Sequence, residues 1–216
     1  MGRQPSFTLI RNFERNVKVV IVIDTREKHP LDFSFWKDVK VQYRELWPGD
    51  YTVLGGAQYL AIERKSVSDL VGTMKTGYAG IGSTTPKRFD RELMALHSVR
   101  ARGGEAFVLV EPDGPLGTVC PAYEQIKAHS YRSIIEPYKV IKFIDTIRDR
   151  WHVPVHMTDS RTSSAELVYK SASFALAVKR AHMAEDRFAD SLDADISDAL
   201  CGEEDGSQFV DEIVEF

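Results

Sequence analysis

The sequence has few cysteines and no long hydrophobic run. Its two cysteines, Cys120 and Cys201, are too few for a disulfide framework or a zinc cluster. The longest apolar run, residues 19–23, is far shorter than the roughly 20 residues that cross a bilayer, and the first residues lack the apolar core of a signal peptide. We therefore expect an intracellular protein with no membrane partner, in the cytoplasm or nucleoid, or in the nucleus of a eukaryote.

The chain also lacks the overall basic charge that is typical of DNA-binding proteins. Its 28 Lys and Arg residues against 32 Asp and Glu residues give a net charge of −4. The charge is unevenly distributed, however. Residues 185–216 hold 12 acids and one base, for a net charge of −11, and the other 184 residues hold 27 bases and 20 acids, for a net charge of +7. A moderately basic body is thus followed by a strongly acidic tail.

Short β-branched runs alternate with helical patterns along the body, an order typical of an α/β domain. With 43% hydrophobic residues the body can bury a core. Strands are expected at 18–24, 39–46, 51–54, 58–65, 106–111 and 153–157. Helices are expected at 67–75, 86–103, 123–135, 137–151 and 163–182. We divide the chain into a flexible leader (1–16), one folded domain (17–184) and an acidic, disordered tail (185–216).

Acidic residues occur where this sheet could bring them together. In the strand at 58–65, Glu63 and Lys65 are two apart and point to the same face, while Arg64 points to the other. A hairpin through residues 55–56 folds Asp50 back beside them. Two carboxylates and a nearby backbone carbonyl suit Mg²⁺ or Mn²⁺, and a lysine beside the ion can orient an attacking water or help to deprotonate it. Phosphodiester hydrolysis needs such a set of groups.

The motifs VIVIDTRE, PGDY and IERKSVSDL resemble the nuclease domain of the XPF-type structure-specific DNA endonucleases, a branch of the restriction-endonuclease-like superfamily. That signature runs GD, a spacer, ERK, three residues and D. It is present here as Gly49, Asp50, Glu63, Arg64, Lys65 and Asp69. The upstream D-x-R-E element is present as Asp24, Arg26 and Glu27. The resemblance implies a central mixed sheet flanked by helices, followed here by the acidic tail.

The resemblance also implies roles for these residues. Asp24, Asp50 and Glu63 would bind one or two Mg²⁺ or Mn²⁺ ions, and Lys65 would serve the water. The remaining catalytic residues, which would support the site, are Glu27, Arg64 and Asp69. DNA contacts are expected from Arg26, Lys87, Arg88 and Arg91.

Several of these residues have alternatives that the sequence leaves open. Arg64 either contacts DNA or pairs with an acid such as Asp69. Asp69 lies three residues after Ser66, the spacing of a capping box, so it also fits a helix cap. Asp24 could merely end a strand, and Arg26 and Glu27 could form a surface pair. The basic residues at 87–91 form either a phosphate track or a solvated helix face, and the glycine-rich stretch at 72–85 is either a mobile loop or a DNA clamp.

The first hypothesis is a Mg²⁺- or Mn²⁺-dependent endonuclease that cleaves branched, flapped or distorted DNA. The second is a non-catalytic DNA-binding or scaffolding subunit with the same fold, and the third is a nuclease for unmodified or single-stranded DNA. Many relatives carry a tandem helix-hairpin-helix domain for which this chain has no room, so a compact stand-alone nuclease is expected.

The expected partners are DNA, a second copy of the chain in a homodimer, and a protein that docks on the acidic tail. The end of that tail, residues 209–216, places acids around apolar side chains, a pattern that fits a docking peptide. The alternative role for the tail is a solubilising extension that repels DNA.

Overall fold

The structure, a computed structural model, describes residues 18–79, 84–114, 121–129 and 135–201. The predicted leader at 1–16 and the end of the acidic tail at 202–216 lie outside these ranges. The strands are β1 (Val19–Asp24), β2 (Val39–Arg44), β3 (Tyr51–Val53), β4 (Leu60–Ser66), β5 (Glu105–Glu111) and β6 (Val155–Met157). The helices are α1 (Val67–Gly72), which runs into a π-helical turn (Thr73–Gly77), α2 (Arg88–Ala101), α3 (Ala122–His129), α4 (Pro137–Trp151) and α5 (Arg161–Cys201).

The six strands form one mixed sheet in the order β2-β1-β3-β4-β5-β6. Strand β3 pairs antiparallel with both β1 and β4, whereas β1 is parallel to β2, and β4, β5 and β6 are parallel to one another. The crossovers that join β4 to β5 and β5 to β6 contain helices α1 to α4, which pack on the sheet. The predicted α/β class with a central mixed sheet and flanking helices is confirmed.

Successive residues of the central strands point to opposite faces, so each face of the sheet has its own core. On one face Ala61 and Val108 pack against α1 to α4. The predicted inner stripe of α2 is buried there and consists of Phe89, Leu93 and Leu96. On the other face Ile62 and Leu109 pack against α5, which contributes Ala165, Val168, Ala172 and Ala175. Apolar packing on both faces of the sheet therefore stabilises the strands that carry the signature residues.

Local capping shifts two helix starts from their predicted positions. Helix α2 begins at Arg88 rather than at residue 86, because the Asp90 carboxylate accepts hydrogen bonds from the backbone N–H groups of Lys87 and Ala79, each at 2.9 Å. Helix α5 begins at Arg161 rather than at residue 163, because the Ser160 hydroxyl accepts the backbone N–H of Ser163 at 3.1 Å. The predicted helix at 137–151 is confirmed without a shift.

Helix α5 extends well past the predicted end near residue 182 and reaches Cys201. Residues 185–201, the first part of the acidic tail, lie within this helix, and the disorder expected for the tail stays a prediction. No glycine or proline occurs between Arg161 and Cys201 to interrupt this helix. The chain divides into two compact units between Lys179 and Arg180. In the described ranges no helix is long and apolar enough to span a bilayer.

Candidate active site

The signature residues meet at one edge of the sheet. Strands β4 and β5 are parallel, so Glu63 and Lys65 approach the edge where β5 ends at Glu111. The antiparallel strand β3 begins at the same edge, and Asp24 at the end of β1 donates its backbone N–H to the Asp50 carbonyl at 2.8 Å. The pairing therefore collects acidic residues from four strand ends, as the sequence predicted for the Asp50–Glu63–Lys65 set.

Gly49 allows the chain to deliver Asp50 to this edge. Its φ of +83° lies in the left-handed region, and a Cβ at this position would lie 2.8 Å from the Ile62 carbonyl oxygen. The backbone N–H of Asp50 then donates to the same carbonyl at 2.7 Å. The Asp50 carboxylate accepts the backbone N–H of Arg64 at 2.8 Å through Oδ2. Both the backbone and one carboxylate oxygen of Asp50 are thereby fixed to β4.

Lys65 lies among carboxylates on the same face of β4. Its ammonium group is 2.8 Å from Glu63 Oε1 and 3.8 Å from Glu92 Oε2. It also lies over the Phe89 ring, 4.8 Å from the ring centroid. The Glu92 carboxylate in turn accepts a hydrogen bond from Arg88 Nε at 2.7 Å. This face therefore holds alternating charges, with Lys65 between two buried acids.

Burial and mutual repulsion make the acids on this face hold their protons more tightly. Burial, with a contribution from Glu27, raises the pKa of Asp50 to about 6, although the hydrogen bond from the Arg64 backbone lowers it. Burial and the nearby charge of Asp50 also raise the pKa of Glu63. Burial alone would lower the pKa of Lys65, but Glu63 and Glu92 outweigh burial and raise the pKa. A positive ion beside Asp50 and Glu63 would relieve the repulsion between them.

The Asp24 carboxylate is held by donors from the loops beside the sheet. Asp24 accepts two hydrogen bonds from the Arg26 guanidinium, each at 2.8 Å, and one each from the backbone N–H groups of Arg26 and Leu46, at 2.7 and 2.8 Å. Burial would raise the pKa of Asp24, but these hydrogen bonds outweigh it and lower the pKa to about 2. Because both oxygens are occupied by donors two and 22 residues away along the chain, Asp24 holds the loops beside the site together.

The Arg64 side chain points to the opposite face of β4 and is only 8% exposed. Its guanidinium pairs with Glu27 at 3.0 Å and with Glu111, and it donates to the His29 carbonyl at 2.9 Å. Of the alternatives left open by the sequence, the structure shows pairing with acids, and the acids are Glu27 and Glu111 rather than Asp69. Glu27 thus supports the site through Arg64.

Asp69 lies both at the cap of α1 and on the cavity lining. Its backbone N–H donates to the Ser66 hydroxyl at 3.1 Å, and its carboxylate accepts that hydroxyl at 3.0 Å, so the predicted cap at the start of α1 is confirmed. Asp69 also lines the cavity beside Glu63 and Lys65.

The predicted DNA-binding residues separate into two groups. Arg26 and Arg88 line the cavity, and their side chains are 55% and 75% exposed. Lys87 and Arg91 are also exposed, but they do not line it. DNA contact by all four residues stays a prediction, and their position on the cavity lining favours Arg26 and Arg88.

Sequence reasoning missed three charged residues at the site. Glu92 lies beside the apolar inner stripe of α2, three residues after Phe89, and this position is the signal that could have identified it. Glu111 ends the buried strand β5, as Asp24 ends β1. Arg161 donates to the carbonyls of His29 and Pro30 at 2.7 and 2.9 Å and gives no signal in the sequence.

A cavity of about 560 Å³ joins these groups. Its charged lining residues are Arg26, Glu27, Lys28, Asp50, Glu63, Arg64, Lys65, Asp69, Arg88, Glu111, Asp113 and Arg161. A second cavity of about 390 Å³ shares the lining residues Arg64, Lys65, Asp69 and Arg88 with it. The lining has both signs of charge, as expected of a site that receives a cation and a phosphate.

Asp50 and Glu63 each use one carboxylate oxygen in the hydrogen bonds above, so each has a second oxygen available for a hard cation. No three His, Cys, Asp or Glu side chains converge on a metal position within the described ranges. The donor set thus fits a divalent ion held by two carboxylates, with water or a substrate oxygen completing its coordination. The Asp24 carboxylate accepts hydrogen bonds from Arg26 and Leu46, and its predicted part in the metal site stays a prediction.

Comparison with known proteins gives two structural similarities and one family match. Two solved structures of XPF from Aeropyrum pernix, one of them in complex with DNA, are similar at 16% sequence identity, with TM-scores of 0.48 and 0.49. Each comparison covers 73% of this chain and 65% of the XPF chain, so this chain spans about 65% of the length of those structures. No curated protein sequence matches it significantly. Residues 23–171, well over half of the chain and including the whole cavity, match the ERCC4 domain, and the chain belongs to the ERCC4 domain family.

Proposed function

We propose that this protein is a divalent-metal-dependent DNA endonuclease that hydrolyses phosphodiester bonds at branched, flapped or distorted DNA. Membership in the ERCC4 domain family supports a DNA nuclease or DNA repair function. The observation that carries the proposal is the Asp50–Glu63–Lys65 cluster, in which two crowded carboxylates and a lysine line a cavity at the edge of the sheet.

Asp50 and Glu63 are the residues that would hold Mg²⁺ or Mn²⁺, through the oxygens that make no hydrogen bond to Arg64 or Lys65. When bound, such an ion supplies a nucleophilic water at neutral pH and neutralises charge on the phosphoryl oxygens. The backbone N–H of Arg64 fixes the orientation of the Asp50 carboxylate. The second oxygens of Asp50 and Glu63 are therefore presented from a rigid sheet edge rather than from a loop.

Lys65 acts in this proposal as a cation rather than as a base. Because Glu63 and Glu92 raise its pKa, it stays protonated at neutral pH. Its ammonium group can donate to the attacking water or to a phosphoryl oxygen and stabilise the charge that develops there. Arg26 and Arg88, exposed on the cavity lining, would contact the flanking phosphates.

The test is cleavage of labelled duplex, fork, flap and four-way-junction DNA by the purified chain with Mg²⁺, with Mn²⁺ and with EDTA. We expect metal-dependent cleavage near the junction and its loss in Asp50→Asn. Asp145→Asn, on the exposed side of α4, is the matched control and should cleave normally. Binding without cleavage in either metal would instead support the scaffolding subunit, and cleavage that persists in Asp50→Asn would overturn the site assignment.

A further inference from the structure

Trp47 is a large exposed aromatic residue that has no role in the site described above. It lies on the segment that joins β2 to β3, three residues before Asp50, and 57% of its surface is exposed. Three residues of chain span at most about 10 Å. The Trp47 backbone is therefore within about one or two nucleotide steps of the proposed catalytic carboxylate.

The backbone that carries Trp47 is fixed on both sides. The N–H of Leu46 donates to Asp24 at 2.8 Å, and its carbonyl accepts a hydrogen bond from Arg26 Nη2 at 2.8 Å. On the other side the N–H of Asp50 donates to the Ile62 carbonyl at 2.7 Å. Because these contacts fix the segment before any ligand binds, an aromatic ring on it can stack with little loss of conformational entropy.

The charges around Trp47 suit a nucleic acid. Arg26 contacts the neighbouring Leu46 carbonyl, is half-exposed and lines the cavity that holds Asp50 and Glu63. Arg44 is exposed at the end of β2, and Glu45 is the exposed acid between it and Leu46. Exposed aromatic and guanidinium side chains on one segment are a combination with which proteins bind single-stranded DNA, because every base has a face for stacking and every nucleotide has a phosphate.

We propose that Trp47 stacks on an unpaired nucleobase adjacent to the phosphate that occupies the cavity, and that Arg26 contacts the phosphate beside that base. This inference rests on the proposed nuclease function and specifies its substrate. In a continuous duplex the bases are paired and stacked on one another, so Trp47 has no free base face to contact. At a junction between single and double strands it does, and the chain then prefers DNA with an unpaired base next to the scissile phosphate.

The experiment measures DNA affinity by fluorescence anisotropy in EDTA, where binding is separated from cleavage. Wild type, Trp47→Ala, Trp47→Phe and Phe35→Ala are each titrated with a flap, with the same flap carrying abasic sites beside the junction, and with a continuous duplex. Phe35 is the matched control: it is 73% exposed, but it precedes β2 at the end of the sheet opposite to Asp24. Thermal unfolding of each variant checks that it folds.

We expect Trp47→Ala to bind the flap about tenfold more weakly than wild type, the size of one base–aromatic contact. Its affinity for the duplex should change less than twofold, and Trp47→Phe should keep most of the flap affinity. The abasic flap should bind wild type and Trp47→Ala equally. Phe35→Ala should match wild type on every substrate.

Three outcomes would overturn the inference: equal loss on flap and duplex, an abasic penalty that adds to the Trp47→Ala penalty, or no loss at all. If Trp47→Ala leaves DNA affinity unchanged but dissociates a dimer in sedimentation experiments, Trp47 belongs to an interface between copies of the chain and the inference also fails. A wild type that shows the Trp47-dependent preference but cleaves nothing with Mg²⁺ or Mn²⁺ would overturn the nuclease function and leave the stacking intact. A wild type that cleaves flaps but lacks the Trp47-dependent preference would support the nuclease function and overturn the stacking.

Discussion

The two faces of strand β4 carry neighbouring residues of one signature, yet their side chains are held in different ways. On one face, Glu63 and Lys65 have contacts that a metal ion or a phosphate could replace, and Asp50 and Glu63 each have a second oxygen available. On the other face, Arg64 is held by two acids and a backbone carbonyl. We call the side of β4 that carries Glu63 and Lys65 the reactive face and the side that carries Arg64 the bracing face. Variants of the reactive face should lose cleavage, whereas variants of the bracing face should lose stability.

The largest expected effect is on the reactive face. Lys65→Met keeps the length of the side chain and removes the charge, so the charge that develops on the phosphoryl group loses a stabilising donor. We expect the single-turnover cleavage rate to fall by about 10²- to 10³-fold, with a smaller loss of stability than for Arg64→Met. Lys142→Met, exposed on α4, is the control. A rate within tenfold of wild type would remove Lys65 from the catalytic set.

On the bracing face the expected effect is on stability. Arg64→Met leaves Glu27 and Glu111 without their cation in a mostly buried position, and breaking such a pair costs about 3–5 kcal/mol of unfolding free energy. Urea titration measures it. Lys170→Met, which removes an exposed pair with Glu166, should change stability by less than about 1 kcal/mol.

The double variant Arg64→Met/Glu111→Leu tests the cause of that loss. It removes one stranded acid together with the cation, so it should recover part of the stability lost in Arg64→Met. The recovery should be incomplete, because Glu27 still lacks its cation in the double variant. A double variant no more stable than Arg64→Met would show that the brace does not act through the Arg64–Glu111 pair.

The division of the signature between two faces of β4 and the cap of the following helix could be predicted from the sequence. A two-residue period is enough to separate Glu63 and Lys65 from Arg64, and the Ser66–Asp69 cap is a contact between near neighbours. The pairing of Asp24 with Arg26 was not predicted, because the motif identifies the residues but not the hydrogen bonds between them. The metal-binding role of Asp24 stays a prediction.

The missing partners come from elements distant in sequence. Glu92 reaches Lys65 from α2, and Glu111 reaches Arg64 from β5. Sequence periodicity shows that each lies on a buried face, but it does not show which strand end lies opposite. Only the parallel pairing of β4 with β5 and the packing of α2 beside them supply that information.

The acids of the reactive face should also make the stability of the metal-free protein depend on pH. Because the pKa of Asp50 is raised from 3.8 to about 6, the folded state holds this proton more tightly than the unfolded state does. That contribution is complete below the unfolded pKa and is lost as pH rises through about 6. The expected loss is on the order of 2–3 kcal/mol.

The measurement is urea unfolding in EDTA between pH 4 and pH 8, comparing wild type with Asp50→Asn, which cancels the contribution of the histidines. The difference in stability between the two proteins should shift in favour of Asp50→Asn as pH rises. Mg²⁺ or Mn²⁺ should restore wild type at high pH and have less effect on Asp50→Asn. A difference that stays constant with pH would show that Asp50 ionises in the folded protein as it does in the unfolded chain.

The smallest expected effect separates the basic residues of α2, which the sequence treats alike. Arg88 lines the cavity and pairs with Glu92, whereas Arg91 is exposed away from it. Arg88→Ala should weaken DNA binding a few-fold on every substrate and lower the salt dependence by about one phosphate contact. Arg91→Ala should leave both quantities at their wild-type values. Equal losses in the two variants would mean that DNA follows the exposed side of α2 rather than the cavity, and phosphate contact would then no longer be tied to the reactive face of β4.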